Sequence, residues 1–461
     1  MLKFFNYSTD SFRDALIIYK KLFSGLILVS FAYSQSIPQY FFSNQYQKHS
    51  YDLGFGWNRL SNFSTIRFEK SFQNYHLKKK HLSFNSLIGN DTFSYSAYGR
   101  YSFKEKYFFY YSLWNTPIKE TNITTNINNQ YQRNSFRSSG IGYYNKWITL
   151  EICRGNENWS SGNDIQLALS EKSNFYDYFL LGSDYGKIRV RYIHGLLEIT
   201  PDTIKRFIAA KGLEWTNKKS LIIGLSEIVI YSGENRNFEI AYLNPISTHL
   251  EIELNERSTV LDYHHANAVW QLHLDYLLMG TTRFSINYLF DEIVFDPLVE
   301  KGKQNGLAYS IRISRAFFTK KLKYSSYISL IKIGTPTFRH NNGLINFTKG
   351  DRPLGWQNGS DLNEIHFGTN FIFKGNFILK LDFGFLEVGE ESVTQHFLQP
   401  YKDYFSGPFP SGEVQTYKTG RCELFWENSK KISTFINFKT KKNNSGEYYH
   451  TLNFGASLFL I

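Results

Sequence analysis

The sequence predicts an all-β chain: a transmembrane antiparallel β-barrel of about eighteen strands, with short periplasmic turns and long extracellular loops. Three observations lead there. Aromatic residues abound, with 33 Tyr, 42 Phe and 8 Trp in 461 residues, yet mean hydropathy is only −0.37. Apolar residues recur with a period of two, the strand signature. The links between these alternating segments are short and long by turns. Disorder is excluded for most of the chain, because it can bury a large apolar area. A bundle of membrane helices is excluded too, because no stretch reaches the roughly 20 continuous apolar residues a spanning helix needs. A barrel reconciles the facts, since its strands need only alternate apolar-out with polar-in.

The first element is an address. Lys20-Lys21 precede the apolar run Leu22 to Phe31, and Ala32-Tyr33-Ser34-Gln35 follow. A positive region, an apolar region of secretory length and small residues at −3 and −1 describe a cleavable signal peptide over 1–34. The barrel then occupies 35–461. Export takes cytosolic chemistry and genomic DNA out of consideration. The charge of +12 points instead to anionic lipid or an acidic polymer. The cluster Lys78-Lys79-Lys80 reads as a solvated turn.

Strands are expected near 51–57, 64–72, 81–88, 93–103, 106–113, 141–153 and 187–199. Further strands are expected near 204–216, 220–231, 267–278, 283–290, 305–315, 323–333, 364–373, 377–387, 421–428, 431–439 and 447–461. The alternation is clearest where Trp270, Leu272, Leu274 and Tyr276 oppose Gln271, His273 and Asp275. It recurs where Leu307, Tyr309, Ile311 and Ile313 oppose Ala308, Ser310, Arg312 and Ser314, and where Phe377 to Phe385 alternate with Lys380, Asp382 and Gly384. Alternation alone also fits a soluble sandwich. Connection length decides: short polar turns at 217–219, 279–282, 374–376 and 428–430 alternate with long segments near 232–266, 334–363 and 388–420. A sandwich has no reason to sort its loops by parity, whereas a barrel does. Segment 115–139 reads as an exposed loop, and 154–186 as a loop or part of a plug within the lumen. Tyr107-Phe108-Phe109-Tyr110-Tyr111 and Tyr448-Tyr449 read as girdle positions at the lipid–water boundary.

No catalytic constellation stands out, so no catalytic residue, metal or cofactor is expected. His264 and His265 are adjacent on the chain, and neighbours on a strand point to opposite faces. Cys153 and Cys422 fit no metal or redox spacing; they read as isolated strand residues, with a disulfide left open. No Gly-x-Ser-x-Gly elbow or phosphate loop is present. Asp275, Asp291, Glu292, Arg312, Arg339, His340, Asp351, Arg352, Asp361 and Glu364 cluster in the central half. They suit either loop-fixing ion pairs or a site for a charged or hydroxyl-rich polymer.

Several stretches resemble the Wzi-like family of outer-membrane capsule-assembly proteins, in the form found in Bacteroidetes. They are Tyr242-Leu243-Asn244-Pro245, Asp291-Glu292, Thr335-Pro336-Thr337-Phe338-Arg339-His340, and Pro353-Leu354-Gly355-Trp356 with Gly359-Ser360-Asp361 and Glu364. Leu169-Ser170 and Gly233 are weaker echoes. The resemblance covers roughly 150–370, and its ordered set is more specific than any one motif. The N-terminal third departs from it, and the chain ends in Leu458-Phe459-Leu460-Ile461 rather than on an aromatic.

The resemblance implies a non-enzymatic, lectin-like outer-membrane barrel that binds and organises capsular or other surface polysaccharide. Candidate polymer contacts are Asp291, Glu292, Phe338, Arg339, His340, Arg352, Trp356, Asp361 and Glu364. The expected partners are a polysaccharide, acidic on the strength of the net charge, and outer-membrane lipid, with no nucleic acid; the oligomeric state is left open. The alternatives are a gliding-motility or adhesion component, which related proteins suggest, a passive porin, and an outer-membrane hydrolase.

Overall fold

The computed structural model describes residues 80–459, apart from 89–92, 105, 116–134, 146, 163, 245, 256–265, 293–301, 320–321, 374–376, 396, 399–406 and 430–431. The expected signal peptide, the strands near 51–57 and 64–72, and His264-His265 lie outside the described residues. Eighteen strands form one antiparallel sheet. They are β1 (Lys80–Ile88), β2 (Phe93–Phe103), β3 (Tyr107–Asn115), β4 (Ser135–Tyr144), β5 (Ile148–Gly155), β6 (Tyr176–Asp184), β7 (Ile188–Ile199), β8 (Lys205–Thr216), β9 (Leu221–Gly233), β10 (Ala266–Leu278), β11 (Thr282–Phe290), β12 (Leu307–Phe318) and β13 (Leu322–Ile333). The rest are β16 (Leu362–Phe373), β17 (Phe377–Val388), β18 (Gln415–Ser429), β19 (Ile432–Lys442) and β20 (Tyr448–Phe459). Two short strands, β14 (Thr348–Lys349) and β15 (Arg352–Pro353), pair apart from the sheet. Each large strand pairs with its neighbour in the chain, and β20 pairs with β1 from Ser83↔Phe459 to Ile88↔Phe454.

The connections sort by parity. At one end they are 104–106, 145–147, 185–187, 217–220, 279–281, 319–321, 374–376 and 430–431, none longer than four residues. At the other end lie 116–134, 156–175, 234–265, 291–306, 334–361 and 389–414 with three short links, 89–92, 200–204 and 443–447, so every long connection is at this end although not every connection here is long.

The two faces of the wall are inverted relative to a water-soluble protein. On β10, Gln271, His273 and Asp275 are buried, while Leu272 on the opposite face is 44% exposed. Asn287 and Ser310 are fully buried, whereas Tyr288, Ile313 and Phe383 lie open on the outside. Period-two alternation produces this separation directly, and an apolar exterior with a polar interior is the barrel pattern.

Inside, two of the long connections turn inward and pack. Trp159, Ile165, Leu167, Phe338, Ile345, Phe347 and Leu354 form one buried cluster with Ile208, Ile228, Val269, Leu289, Ile333 and Val388 of the wall. Segments 156–175 and 334–361 are therefore a plug rather than projecting outer loops. Ion pairs tie it down. Arg191 of β7 donates to both carboxylate oxygens of Glu157, at 3.0 and 3.1 Å. Arg206 of β8 donates to the carbonyl oxygens of Leu344 and Asn346.

Four sequence expectations change. The strand expected at 141–153 is two strands, β4 and β5, reversed at 145–147, where Asn145 Oδ1 accepts from the amides of Trp147 and Ile148. Segment 154–186 holds the plug segment and then β6, which alternation did not reveal. The loop expected at 115–139 gives way to β4 at Ser135. Of the expected girdle, Tyr107, Phe109 and Tyr111 face outward, but Phe108 and Tyr110 face inward; Tyr110 donates to Glu151 at 2.6 Å. Consecutive strand residues cannot share a face. The cysteines are both free, with Cys153 buried.

The buried pair Asp275–Arg283 tests the interior polar design. Arg283 Nε and Nη2 reach the Asp275 carboxylate at 2.8 and 2.5 Å, and Ser285 Oγ donates to it at 2.9 Å. Asp275→Ala strands a buried guanidinium and should cost about 3–5 kcal/mol. The double variant Asp275→Leu/Arg283→Met should regain most of that. Urea midpoints of protein refolded into lipid measure both.

Candidate binding site

The inward rows of β12, β13, β16, β17 and β18 converge on the plug around a cavity of about 40 Å³. Its wall side presents Arg312, Tyr327, Ser329, His366, Lys380, Asp382 and Arg421. Its plug side presents Asp164, Gln166, Ser170, Glu171, Lys172, Trp356 and Gln357. Strand register places the wall set: Arg312 lies opposite Ser329 and Gly368 opposite Asp382, so alternate residues of neighbouring strands stack in one patch.

The groups are already engaged with one another. Arg312 lies over the Tyr327 ring at 3.5 Å and donates to Ser329 Oγ at 3.1 Å. Tyr327 OH donates to Asp382 at 2.6 Å. His366 sits between Glu364, at 2.6 Å, and Asp382, at 3.4 Å. Trp356 donates its indole N–H to Glu364 at 2.7 Å and meets His366 edge-on, with ring centroids 6.4 Å apart. Lys380 bridges wall to plug through Asp164 at 2.9 Å. That ammonium holds the Asp164 carboxyl well below the usual carboxylate range. Four fixed cations (Lys172, Arg312, Lys380 and Arg421) face three carboxylates (Asp164, Glu171 and Asp382), so the site is near balance rather than strongly basic.

Two plug segments cross beside the cavity. The Trp356 amide donates to Leu167 O at 3.0 Å, and the Ser170 amide to Leu354 O at 2.8 Å. A Cβ on Gly355 would stand 1.6 Å from Leu167 O. Only glycine fits that crossing, which gives Pro353-Leu354-Gly355-Trp356 a physical reason.

Of the nine residues singled out from sequence, the structure brings Trp356 to the cavity lining, with Glu364 behind it, bonded to Trp356 and His366. The other seven lie in the plug and connections. Asp291 accepts from the Phe338 amide at 2.5 Å, and burial raises its carboxyl above the ordinary range. Glu292 pairs with Lys303. Phe338 is buried at φ 72°, with its ring against Phe347. Arg339 is buried and donates to Glu391 at 2.8 Å. The His340 amide donates to Asn346 at 2.8 Å, and Arg352 pairs with Lys349 in the short ladder. Asp361 is fully buried at φ 57°; it accepts from Thr335 at 2.8 Å and from the Ser411 amide at 3.0 Å. Sequence reasoning missed Asp164, Tyr327, His366, Lys380 and Asp382 as one group. Alternation had placed Lys380 and Asp382 on the polar face, but nothing in the chain announced their meeting with residue 164. Among the described residues no group of three His, Cys, Asp or Glu could hold a metal ion.

No protein-family model matches the sequence, and no curated protein matches it in sequence. Solved structures do resemble the fold. Wzi, an outer-membrane protein involved in group 1 capsule assembly in Escherichia coli and a carbohydrate-binding β-barrel, superposes with a TM-score of 0.65. Identity is 11%, over 92% of this chain and 98% of that one. The outer-membrane proteins OccK3 and OccD1 (OprD) of Pseudomonas aeruginosa give TM-scores of 0.47 and 0.46 at 8% and 9% identity. Each match covers over four-fifths of this chain, and 98% and 96% of theirs. The likeness to Wzi shows a shared β-barrel fold.

The Asp164–Lys380 bridge gives a pH dependence. A carboxylate whose folded pKa is depressed contributes stability above its unfolded value, about 3.9, and loses it as pH falls through the lower folded value. Wild type should therefore exceed Asp164→Asn in stability at pH 6, with the difference closing below about pH 4. Equilibrium unfolding of both proteins across pH 3–7 checks this.

Proposed function

We propose that the chain is an outer-membrane barrel that binds and organises a surface polysaccharide, without cleaving it. The observation that carries this reading is the plugged lumen bearing an aromatic and hydroxyl-binding cluster: Trp356, His366 and Tyr327 beside Arg312, Asp382 and Glu364. Sugars offer apolar ring faces and many hydroxyls, and this set matches both. The likeness in fold to a carbohydrate-binding barrel supports it. On this reading the short turns face the periplasm and the long connections face outward.

The cavity as it stands accommodates a few water molecules, far below the roughly 300 Å³ of a small-molecule site. The polymer is therefore gripped at the rim, where Lys172 and Gln357 are exposed, or enters only when the plug shifts. Near-balance of charge inside the cavity means that any preference for an acidic polymer rests on long-range attraction by the net +12, which salt screens.

The test is a glycan-binding screen of the purified full chain that includes the host's own capsule. Trp356→Ala and Tyr327→Phe should each weaken the best ligand, by about 5- to 100-fold for one or two lost contacts of about 1–3 kcal/mol. Unchanged affinity in both would sink the assignment of this cavity. Shortening of the polymer during incubation would instead reveal a hydrolase.

A passive porin is the second reading, favoured by the wide wall of eighteen strands. The two readings separate in planar bilayers, where a porin gives steady, ohmic conductance. We expect the full chain to give little conductance, and deletion of 334–361 to raise it.

A further inference from the structure

Segment 234–255 does not join the plug. It lies against the outside of the wall, over β7, β8 and β9. There Tyr242, in a 3-10 turn (Ile240–Leu243), and Ile252, in helix α1 (His249–Leu254), pack on the outward-facing Phe207, Ala209, Val229 and Tyr231. Ile208, Ala210, Ile228 and Ile230, on the opposite face of the same strands, belong to the interior cluster.

Beneath this segment the outer wall is unusually polar. Lys211 and Glu227 form an ion pair at 2.9 Å, and both face outward. The segment completes their bonding: the His249 amide donates to Glu227 at 2.9 Å, and Lys211 donates to Ser247 O. Tyr192 OH donates to Tyr242 O at 2.9 Å, and Tyr242 OH meets His249 Nδ1 at 2.8 Å. Thr248 caps α1 by accepting from the Glu251 amide at 3.1 Å.

The segment's other face is apolar. Phe238, Ile240, Leu243, Ile246, Leu250 and Leu254 are all exposed, Ile246 by 86%. From 238 to 254 the described exposed residues are those six and Asn244. The charged groups, by contrast, face the wall or lie at the edges. This patch continues the exposed apolar rows of the wall at Leu213, Ile223 and Leu225.

Height fixes where the patch lies. A barrel strand advances about 3.3 Å per residue and tilts by about 40°, so it climbs about 2.5 Å per residue. Lys211 thus stands about 10 Å, and Phe207 about 20 Å, above Trp215 at the short-turn end, within an apolar band roughly 25 Å tall. A bare Lys–Glu pair at that depth would face hydrocarbon at a cost of several kcal/mol.

We propose that residues 238–254 are a strap immersed in the membrane, sealing a polar strip of the outer wall and presenting its apolar face to the acyl chains of the outer leaflet. This rests on the membrane placement given above. The occupant is lipid, because the patch is continuous with the wall's own apolar rows and, among the described residues from 238 to 254, no charged side chain is exposed.

Spin-label accessibility of the full chain in liposomes tests it. Labels go singly at Ile246→Cys and Leu250→Cys in a Cys422→Ser background, where buried Cys153 takes up none. Phe383→Cys on the wall and Glu234→Cys at the strap's start are the lipid and water references. Ile246 is so exposed that substitution there leaves the fold intact, and heat-shifted migration on gels verifies it. The expected result is relaxation of both strap labels by oxygen, with collision with a water-soluble nickel complex at least fivefold below the Glu234 site. Nickel access equal to that at Glu234 would overturn the strap. So would exclusion of both reagents, the mark of a protein cover. Nickel access at Phe383 as well would overturn the membrane placement itself.

Discussion

Everything in this molecule depends on an inversion: the wall is apolar outside, so its polar side chains must be satisfied inside. Inward polar groups of the wall need partners, and an unpaired buried group costs about 1–3 kcal/mol. The plug answers this. Asn287 of β11 donates to Ser161 O at 3.1 Å and to Ser310 at 2.9 Å, and accepts from the Ser161 amide at 2.8 Å. Ser310 donates to Ile165 O at 2.7 Å. The irregular backbone of 156–175 is thus tolerated in the lumen because the wall's side chains serve as its hydrogen-bond ladder.

The same logic separates two kinds of polar residue in the long connections. Asp361, Asp291 and Arg339 spend their charge on backbone groups and partners of the connections themselves, and hold left-handed residues such as Phe338 in place. Trp356, Glu364 and His366 instead couple the plug to the wall beside the cavity. Both kinds look alike in sequence, as charged or aromatic residues in long polar stretches. Geometry alone tells positioning from contact.

The fold was legible because its signal is local. Alternation within β10, β12 and β17 assigned inward and outward faces correctly, and parity of connection length separated a barrel from a sandwich. Legibility failed where no local signal exists. The reversal at 145–147 has neither Gly nor Pro and rests on the single side chain of Asn145. Strand β6 alternates weakly, because Leu180 and Leu181 are both apolar. Segment 334–361, polar on average, gave no hint that Ile345, Phe347 and Leu354 would be buried inside. The strap is the mirror case: its apolar residues were visible, but their being turned away from the wall was not. The cavity was least legible of all, since it joins residues 164, 327, 356 and 382, which only the packing of the plug against β13, β16 and β17 brings together.

That remoteness has a consequence in time. Asp164 and Lys380 are 216 residues apart, and the Leu167–Trp356 contact spans nearly as many. Loop-closure entropy is met before such contacts return anything, and chains ruled by distant pairings fold slowly. The early-made segment 156–175 must therefore wait, its polar backbone unpaired, until strands made much later arrive to surround it. A chain that stopped before Phe377 would therefore possess the plug and its anchors on β7, β8, β11 and β12, but lack Lys380 and the last four strands of the wall.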